Sequence, residues 1–398
     1  MQVFNRKTII SSLRGGDKKS SKILGGLIIS MYICGMDRDD ELFFALVRAG
    51  MMGEQLALLV PDDAWTWLYE MAARQSVLGV CYQPQATMPK ELAIRWAAMV
   101  ETIAGLNRMQ YHEAAIQTAK FSAAGCQSAI LKGQANARLY PNKFVRQPGD
   151  VDIWVEGGQK HVMAVLGMHL STQQQKSTLS YHHVHLPKNK RGIDVEVHFR
   201  PSSGNCNPFT NRRLQHWLEQ EIKMLTAVEE HFNVPSIRFA LMMQLAHIQR
   251  HFISSGVGMR HVCDYYVLLQ QATDDDRRVV SVELKRFGLY DTAAALMWVL
   301  GYVLKLNENQ MLCKPDAYRG QWLLRDMMDG GDLGRYATSK HHCDIRRIIE
   351  NRWRHLKLLR FSFAEVFWGG INFWVSVIRT MPRRIRYRTL SLRHVSEP

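Results

Sequence analysis

The sequence is poor in cysteine, short of acid and without a long apolar run, and each shortage removes a class of protein. Its seven cysteines, Cys34, Cys81, Cys126, Cys206, Cys263, Cys313 and Cys343, are odd in number, scattered, and include no Cys-x-x-Cys pair. That excludes a disulfide framework and fits reduced thiols in the cytoplasm. No apolar run reaches the roughly eighteen residues that a membrane-crossing helix needs. Lys18, Lys19 and Lys22 ahead of Ile23–Cys34 look like the start of a signal peptide. The apolar run is short, however, and no small-x-small cleavage site follows before Asp37-Arg38-Asp39-Asp40-Glu41. Residues 1–36 are therefore expected to be a disordered extension, or to precede a true start near Met31 or Met36. The acid deficit, 36 Asp and Glu against 51 Lys and Arg, leaves a net charge of +15. Such a balance favours an anionic partner: nucleic acid, nucleotide, anionic lipid or an acidic protein.

What is present is globular, with 46% hydrophobic and 22% charged residues in 398, enough chain for two or three domains. From about Asp39 the pattern is helical. Leu42–Val47 opens one helix, Asp62-Asp63 opens another, and Pro89 to about Ala124 is rich in helix formers. Ile103, Leu106, Met109, Ala114, Ile116 and Ala119 give this last segment an apolar stripe of helical period. Residues 37–124 read as a helical support without chemistry of its own. After Pro201 the chain is helical again, with no further alternating strand expected, so 201–398 reads as a helical C-terminal domain.

Between these regions the period changes. Ala129-Ile130-Leu131 is a short apolar run followed by Lys132-Gly133. Gly149-Asp150-Val151-Asp152-Ile153-Trp154-Val155 alternates as a strand does, which puts Asp150 and Asp152 on one face and Val151, Ile153 and Val155 on the other. Two carboxylates side by side repel unless a cation lies between them, and Mg²⁺ suits carboxylates together with phosphate oxygens. Lys132-Gly133 can bring a cation and close backbone N–H groups to a phosphate. A second alternating segment, Ile193–Phe199, puts Asp194, Glu196 and His198 on one face. A third carboxylate on a neighbouring strand is what two-metal phosphoryl or nucleotidyl transfer requires. His182, His183 and His185, with His198, invite a zinc reading. Their spacing favours surface or supporting roles, with His198 placed to hydrogen-bond a metal-bound carboxylate or phosphate.

Taken together, Leu131-Lys132-Gly133, Arg146, Gly149-Asp150-Val151-Asp152 and Glu196-Val197-His198 resemble the bacterial uncharacterised nucleotidyltransferase family, within the DNA polymerase β-like nucleotidyltransferase superfamily. The Leu-Lys-Gly, Arg and Asp-x-Asp pattern also resembles the nucleotidyltransferase toxins of type IV toxin–antitoxin systems. The motif-bearing likeness spans about Ser128 to Arg200; in it, Lys132-Gly133 replaces the superfamily's usual Gly-Ser. The resemblance implies an α+β fold, a small mixed-sheet core over 125–200 flanked by the N-terminal and C-terminal helical regions. It further implies Mg²⁺ (or Mn²⁺) held by Asp150, Asp152 and Glu196, which are also the catalytic residues. An NTP, ATP among them, would meet Lys132, Gly133, Arg146, His198 and Arg260. The third carboxylate is Glu196 by resemblance, with Asp194 the alternative. Arg146 either clamps phosphate or pairs with Asp150 or Asp152 in the empty enzyme.

His251, Arg260 and Asp264 stand at positions that recur in the family. Arg260 and Asp264, spaced i,i+4, form a local ion pair on one reading; on the other, His251 and Arg260 face the nucleotide. His341-His342-Cys343-Asp344 reads as a solvated loop. The end of the chain is basic and aromatic: Arg346, Arg347, Arg352, Arg354, Lys357 and Arg360, then Phe361 to Trp374, then Arg379, Arg383, Arg384, Arg386 and Arg388. Such interleaving suits RNA, by phosphate contact and stacking, or peripheral contact with an anionic membrane through Phe367, Trp368, Phe373 and Trp374. Two functions follow. One is nucleotidyl transfer from an NTP to the hydroxyl of RNA, protein or a small molecule, in the cytoplasm or at a membrane surface. The other is a non-catalytic nucleic-acid- or membrane-binding protein on the same fold.

Overall fold

The computed structural model describes residues 38–56, 59–167, 179–187, 191–332 and 358–386. The N-terminal extension, the His341–Asp344 loop, most of the basic run before Phe361, and Arg388 lie outside the described residues. The element order begins with α1 (Arg38–Met52), α2 (Ala64–Arg74), α3 (Leu78–Cys81) and the long α4 (Lys90–Ala123). The core follows as β1 (Ser128–Ile130), α5 (Gln134–Ala137), β2 (Val151–Val155), α6 (Gly158–Val165), β3 (His183–His185) and β4 (Val195–His198). Next come α7 (Pro208–Glu221), β5 (Leu225–Ala227), β6 (Asn233–Pro235), α8 (Ile237–Ser254), α9 (Met259–Gln271), α10 (Asp274–Glu283), α11 (Tyr290–Leu304), α12 (Ala317–Gly330) and α13 (Phe363–Arg386). The fold is α+β, as expected.

The sheet runs β1-β2-β4-β3, with β2 and β4 parallel and both outer strands antiparallel to their neighbours. Alternation divides its side chains. Ile130, Val151, Ile153, Val155, Val184, Val195 and Val197 enter one apolar core with Tyr111 and Phe121 of α4 and Val162 of α6. On the other face Ala129, Leu131 and Trp154 join a larger core made by α1–α4 and α8–α12. The rest of that face, Asp152, Glu196 and His198, is left between sheet and helices.

Three expectations are corrected. The β5–β6 hairpin lies after Pro201, where no strand was expected. It closes the β1 side of the core, with Phe232 and Val234 buried against Tyr111 and with Asn233 Nδ2 donating to the Ser128 carbonyl at 3.0 Å. The stripe read on α4 is rotated: Leu106 is exposed and Ala119 faces solvent, while Asn107, Gln110, Glu113 and Gln117 are buried. A buried polar face is worth its desolvation only when its groups are paired, and its amide nitrogens are. Asn107 Nδ2 donates to the carbonyls of Phe144 (2.9 Å) and Arg146 (2.8 Å), and Gln110 donates to that of Gly149. Far from being mere support, α4 fixes the loop that delivers Arg146 and Asp150. Finally, Asp264 pairs with Arg146 rather than with Arg260.

Candidate active site

Asp152 occupies the centre of the polar face, 2% exposed, in register with Glu196 on the parallel neighbour β4. Asp150 stands just before the strand. Asp194 likewise precedes β4, where its carbonyl accepts from the Val151 N–H at 3.0 Å. Asp152 Oδ1 is 3.2 Å from Lys132 Nζ and 3.0 Å from His198 Nε2. Burial opposes charge on Asp152, yet Lys132 and His198 outweigh it and hold the carboxyl far below the ordinary range. Burial likewise opposes charge on His198, but its hydrogen bonds to Asp152 and Glu196 push its pKa up from 6.5. Asp150 goes the other way: burial, then the charges of Asp152 and Glu196, raise its pKa. Asp152, Glu196 and His198 each offer a ligand atom within 4.8 Å of the other two, a group that could hold a metal ion, and Asp150 stands beside it. Carboxylate oxygens such as these are the donors that Mg²⁺ and Mn²⁺ prefer.

Lys132 reaches Asp152 because the chain turns sharply as it leaves β1. Gly133 has φ +63°, ψ −108°, a conformation that side chains strain to adopt. Its carbonyl then accepts from the N–H groups of Asn136 and Ala137, starting α5. A reciprocal amide pair, Asn136 with Gln244 (3.0 and 2.9 Å), ties α5 to α8.

Arg146 pairs with neither Asp150 nor Asp152. Its Nε and Nη2 meet the two oxygens of Asp264 at 2.7 Å each, and Tyr140 donates its hydroxyl to the same carboxylate at 2.7 Å. Burial disfavours charge on both partners. Their mutual attraction overrides it, raising the pKa of Arg146 and lowering that of Asp264. Arg260 is held by Asp332 (3.0 Å), with Nη1 directed to within 3.5 Å of the position a Cβ would take on Gly149. It thus stands at the entrance to the Asp-x-Asp turn. The close approach of Asp332 to Gly258, where a Cβ would lie 2.8 Å from Asp332 Cα, brings this carboxylate into place.

Within the influence of Lys132 lies a wall of imidazoles that the sequence alone does not assemble. His247 and His251, one turn apart on α8, meet edge-on with ring centroids 4.2 Å apart, and His261 of α9 lies 5.9 and 6.1 Å from them. Burial lowers all three pKa values, aided by the charge of Lys132: His247 well below 6.5, His251 to about 3, His261 to about 4. The i,i+4 spacing of His247 and His251 was the signal available in the sequence; for His261 and Asp332 there was none. On the same face as Asp152, at the β3 edge of the sheet, His183 and His185 project onto Glu196 (3.5 Å each), beside His182.

A sequence model of the uncharacterised nucleotidyltransferase family matches residues 61–305, which include this entire sheet and the helices facing it. The chain belongs to that family. No curated protein matches it. A solved structure, an antigenic nucleotidyltransferase-like protein from Paracoccidioides brasiliensis, is similar at 12% identity and a TM-score of 0.31, covering 49% of this chain and 92% of that one. So slight a likeness adds nothing to the family match. The family match ends before Asp332 and α13, so the partner of Arg260 and the amphipathic helix lie beyond it.

Proposed function

We propose that the protein is a metal-dependent nucleotidyltransferase that moves a nucleoside monophosphate from an NTP to an acceptor hydroxyl and releases pyrophosphate. The observation that carries this reading is the in-register pair of Asp152 and Glu196 with Asp150 beside it, facing Lys132 and Arg260. Asp150, Asp152 and Glu196 would hold Mg²⁺ or Mn²⁺, which when bound supplies charge neutralisation for the triphosphate and its leaving group. Lys132 exchanges its contact with Asp152 for phosphate, and the backbone at Gly133 approaches the same group closely. Glu196 takes the acceptor's proton as its oxygen bonds to the α-phosphorus and the bond to pyrophosphate breaks. His198 keeps Asp152 ionised and oriented, while Arg146, held by Asp264, positions the turn that carries Asp150. The excess of basic residues makes RNA the favoured acceptor.

Incubation with each α-labelled NTP, Mg²⁺ or Mn²⁺, total RNA and cell lysate tests this. Label should pass to an acceptor with the native chain and not with Asp150→Asn/Asp152→Asn; transfer that survives in the double variant overturns the assignment.

One observation favours a surface-binding role alongside or instead of catalysis. No helix among the described residues is long and apolar enough to cross a membrane. Yet α13 exposes Phe363, Phe367, Trp374 and Ile378 on one narrow stripe, and its last turns hold Arg379, Arg383, Arg384 and Arg386. An amphipathic helix of this kind suits an anionic bilayer surface.

A further inference from the structure

The β3–β4 register places His185 opposite Glu196 and His183 opposite His198, all on the face that carries Asp152. His183 Nε2 and His185 Nε2 lie 3.0 Å apart. Two ligand atoms bonded to one ion at about 2.0–2.1 Å are separated by roughly 2.8–3.0 Å in octahedral and roughly 3.3–3.4 Å in tetrahedral geometry, so the spacing suits shared coordination. Glu196 divides its oxygens: Oε1 is 3.5 Å from His185 Nδ1, and Oε2 is 3.5 Å from His183 Nδ1 and from His198 Nε2. One donor atom from each of His183, His185 and Glu196 lies within 4.8 Å of the other two. His183 is further oriented through Nδ1 by His182 at 2.9 Å, which is how a metal-bound imidazole is commonly held by its other nitrogen. Beside them the buried His198 leaves its Nδ1 without a hydrogen-bond partner.

We propose that His183, His185 and Glu196 form a metal position distinct from the carboxylate centre, selective for a first-row transition-metal ion of the zinc and cobalt class over Mg²⁺. The donor set decides the class. Mg²⁺ prefers oxygen ligands and keeps its waters, whereas two imidazoles with one carboxylate suit Zn²⁺, Co²⁺ or Fe²⁺. Three protein donors leave coordination positions open, and the side chain of His185 is 49% exposed, so those positions open to solvent at the sheet edge. A hydrogen-bonded imidazole cluster without metal is the competing account. In it the oxygens of Glu196 face the Nδ1 atoms of His183 and His185 as acceptors and no ion is bound; titration with Co²⁺ separates the two accounts. The inference shares Glu196 with the proposed catalytic centre and to that extent rests on that reading, but its test needs neither nucleotide nor Mg²⁺.

The test is titration of the full chain with Co²⁺ alone, followed by visible d–d absorption and calorimetry, for the native chain, His185→Ala and Asp150→Asn. His185 is exposed enough for its replacement to leave folding unchanged, which the melting temperature checks. The native chain should bind Co²⁺, His185→Ala should lose about 100-fold in affinity or more, and Asp150→Asn should bind as the native chain does. Equal binding by the native chain and His185→Ala, no binding by the native chain, or loss in Asp150→Asn would each overturn the proposal. A failure of Mg²⁺-supported nucleotidyl transfer would leave this result untouched.

Discussion

Val151, Ile153 and Val155 disappear into an apolar core, while one residue along the same strand Asp152 is buried beside Lys132, His198 and Glu196. The two faces of one sheet are equally inaccessible at this point and opposite in energetics. The first is stabilised by removal of apolar surface, about 25 cal/mol per Å². The second contributes little net stability, because desolvation of the ions offsets most of their attraction. Stability therefore does not account for its charges, and the proposed metal and nucleotide binding would. The comparison teaches that burial alone does not mark a core, and that the polar half of a strand pattern is where function is to be sought.

Mutations that separate the faces should break the comparison most plainly. Glu196→Gln should lower nucleotidyl transfer by about 10³-fold, of order 4 kcal/mol, with the melting temperature nearly unchanged; a matching loss of stability would make Glu196 a structural residue. Ile153→Ala, on the other face, should cost about 2–4 kcal/mol in denaturant unfolding while the folded fraction keeps its activity. The smallest expected effect sharpens the contrast through pH. Burial holds His183 and His261 to about 4 and His251 to about 3, and lowers His247 and His182 as well. The unfolded chain, with histidines near 6.5, therefore binds more protons between about pH 6.5 and 4, and stability falls as pH drops through that window. Thermal unfolding near pH 5 should take up more than one proton, and His251→Gln should reduce that uptake by about one. A flat melting temperature from pH 7 to 5 would mean that the imidazole wall is solvated rather than buried.

The parts of the site legible in the sequence are those set by strand period. Asp150, Asp152, Glu196 and the inward valines could be placed because each alternates within a few residues of the others. The β5–β6 hairpin could not, since its strands are three residues each and are held by Phe232 and Val234 packing on a distant helix. The polar face of α4 was missed for a related reason. Gln110 and Asn107 read as ordinary helix residues until the loop carrying Gly149 and Arg146 lies against them. Arg260 and Asp264 show the sharpest difference. Their i,i+4 spacing offers a local pair, but each finds a partner from a distant segment, Asp332 and Arg146.

What the sequence determined by itself was the type and face of each group: carboxylates on one side of β2 and β4, valines on the other, a lysine and glycine at the end of β1. Backbone geometry fixes these, because the side-chain direction alternates whatever the rest of the chain does. Only the tertiary structure decided the pairings: Lys132 with Asp152, Arg146 with Asp264, Arg260 with Asp332, and the histidines of α8 and α9 gathered near Lys132 and Asp332. Exposed charges choose neighbours weakly, whereas a charge taken out of water is held by whichever opposite charge the packing brings within reach.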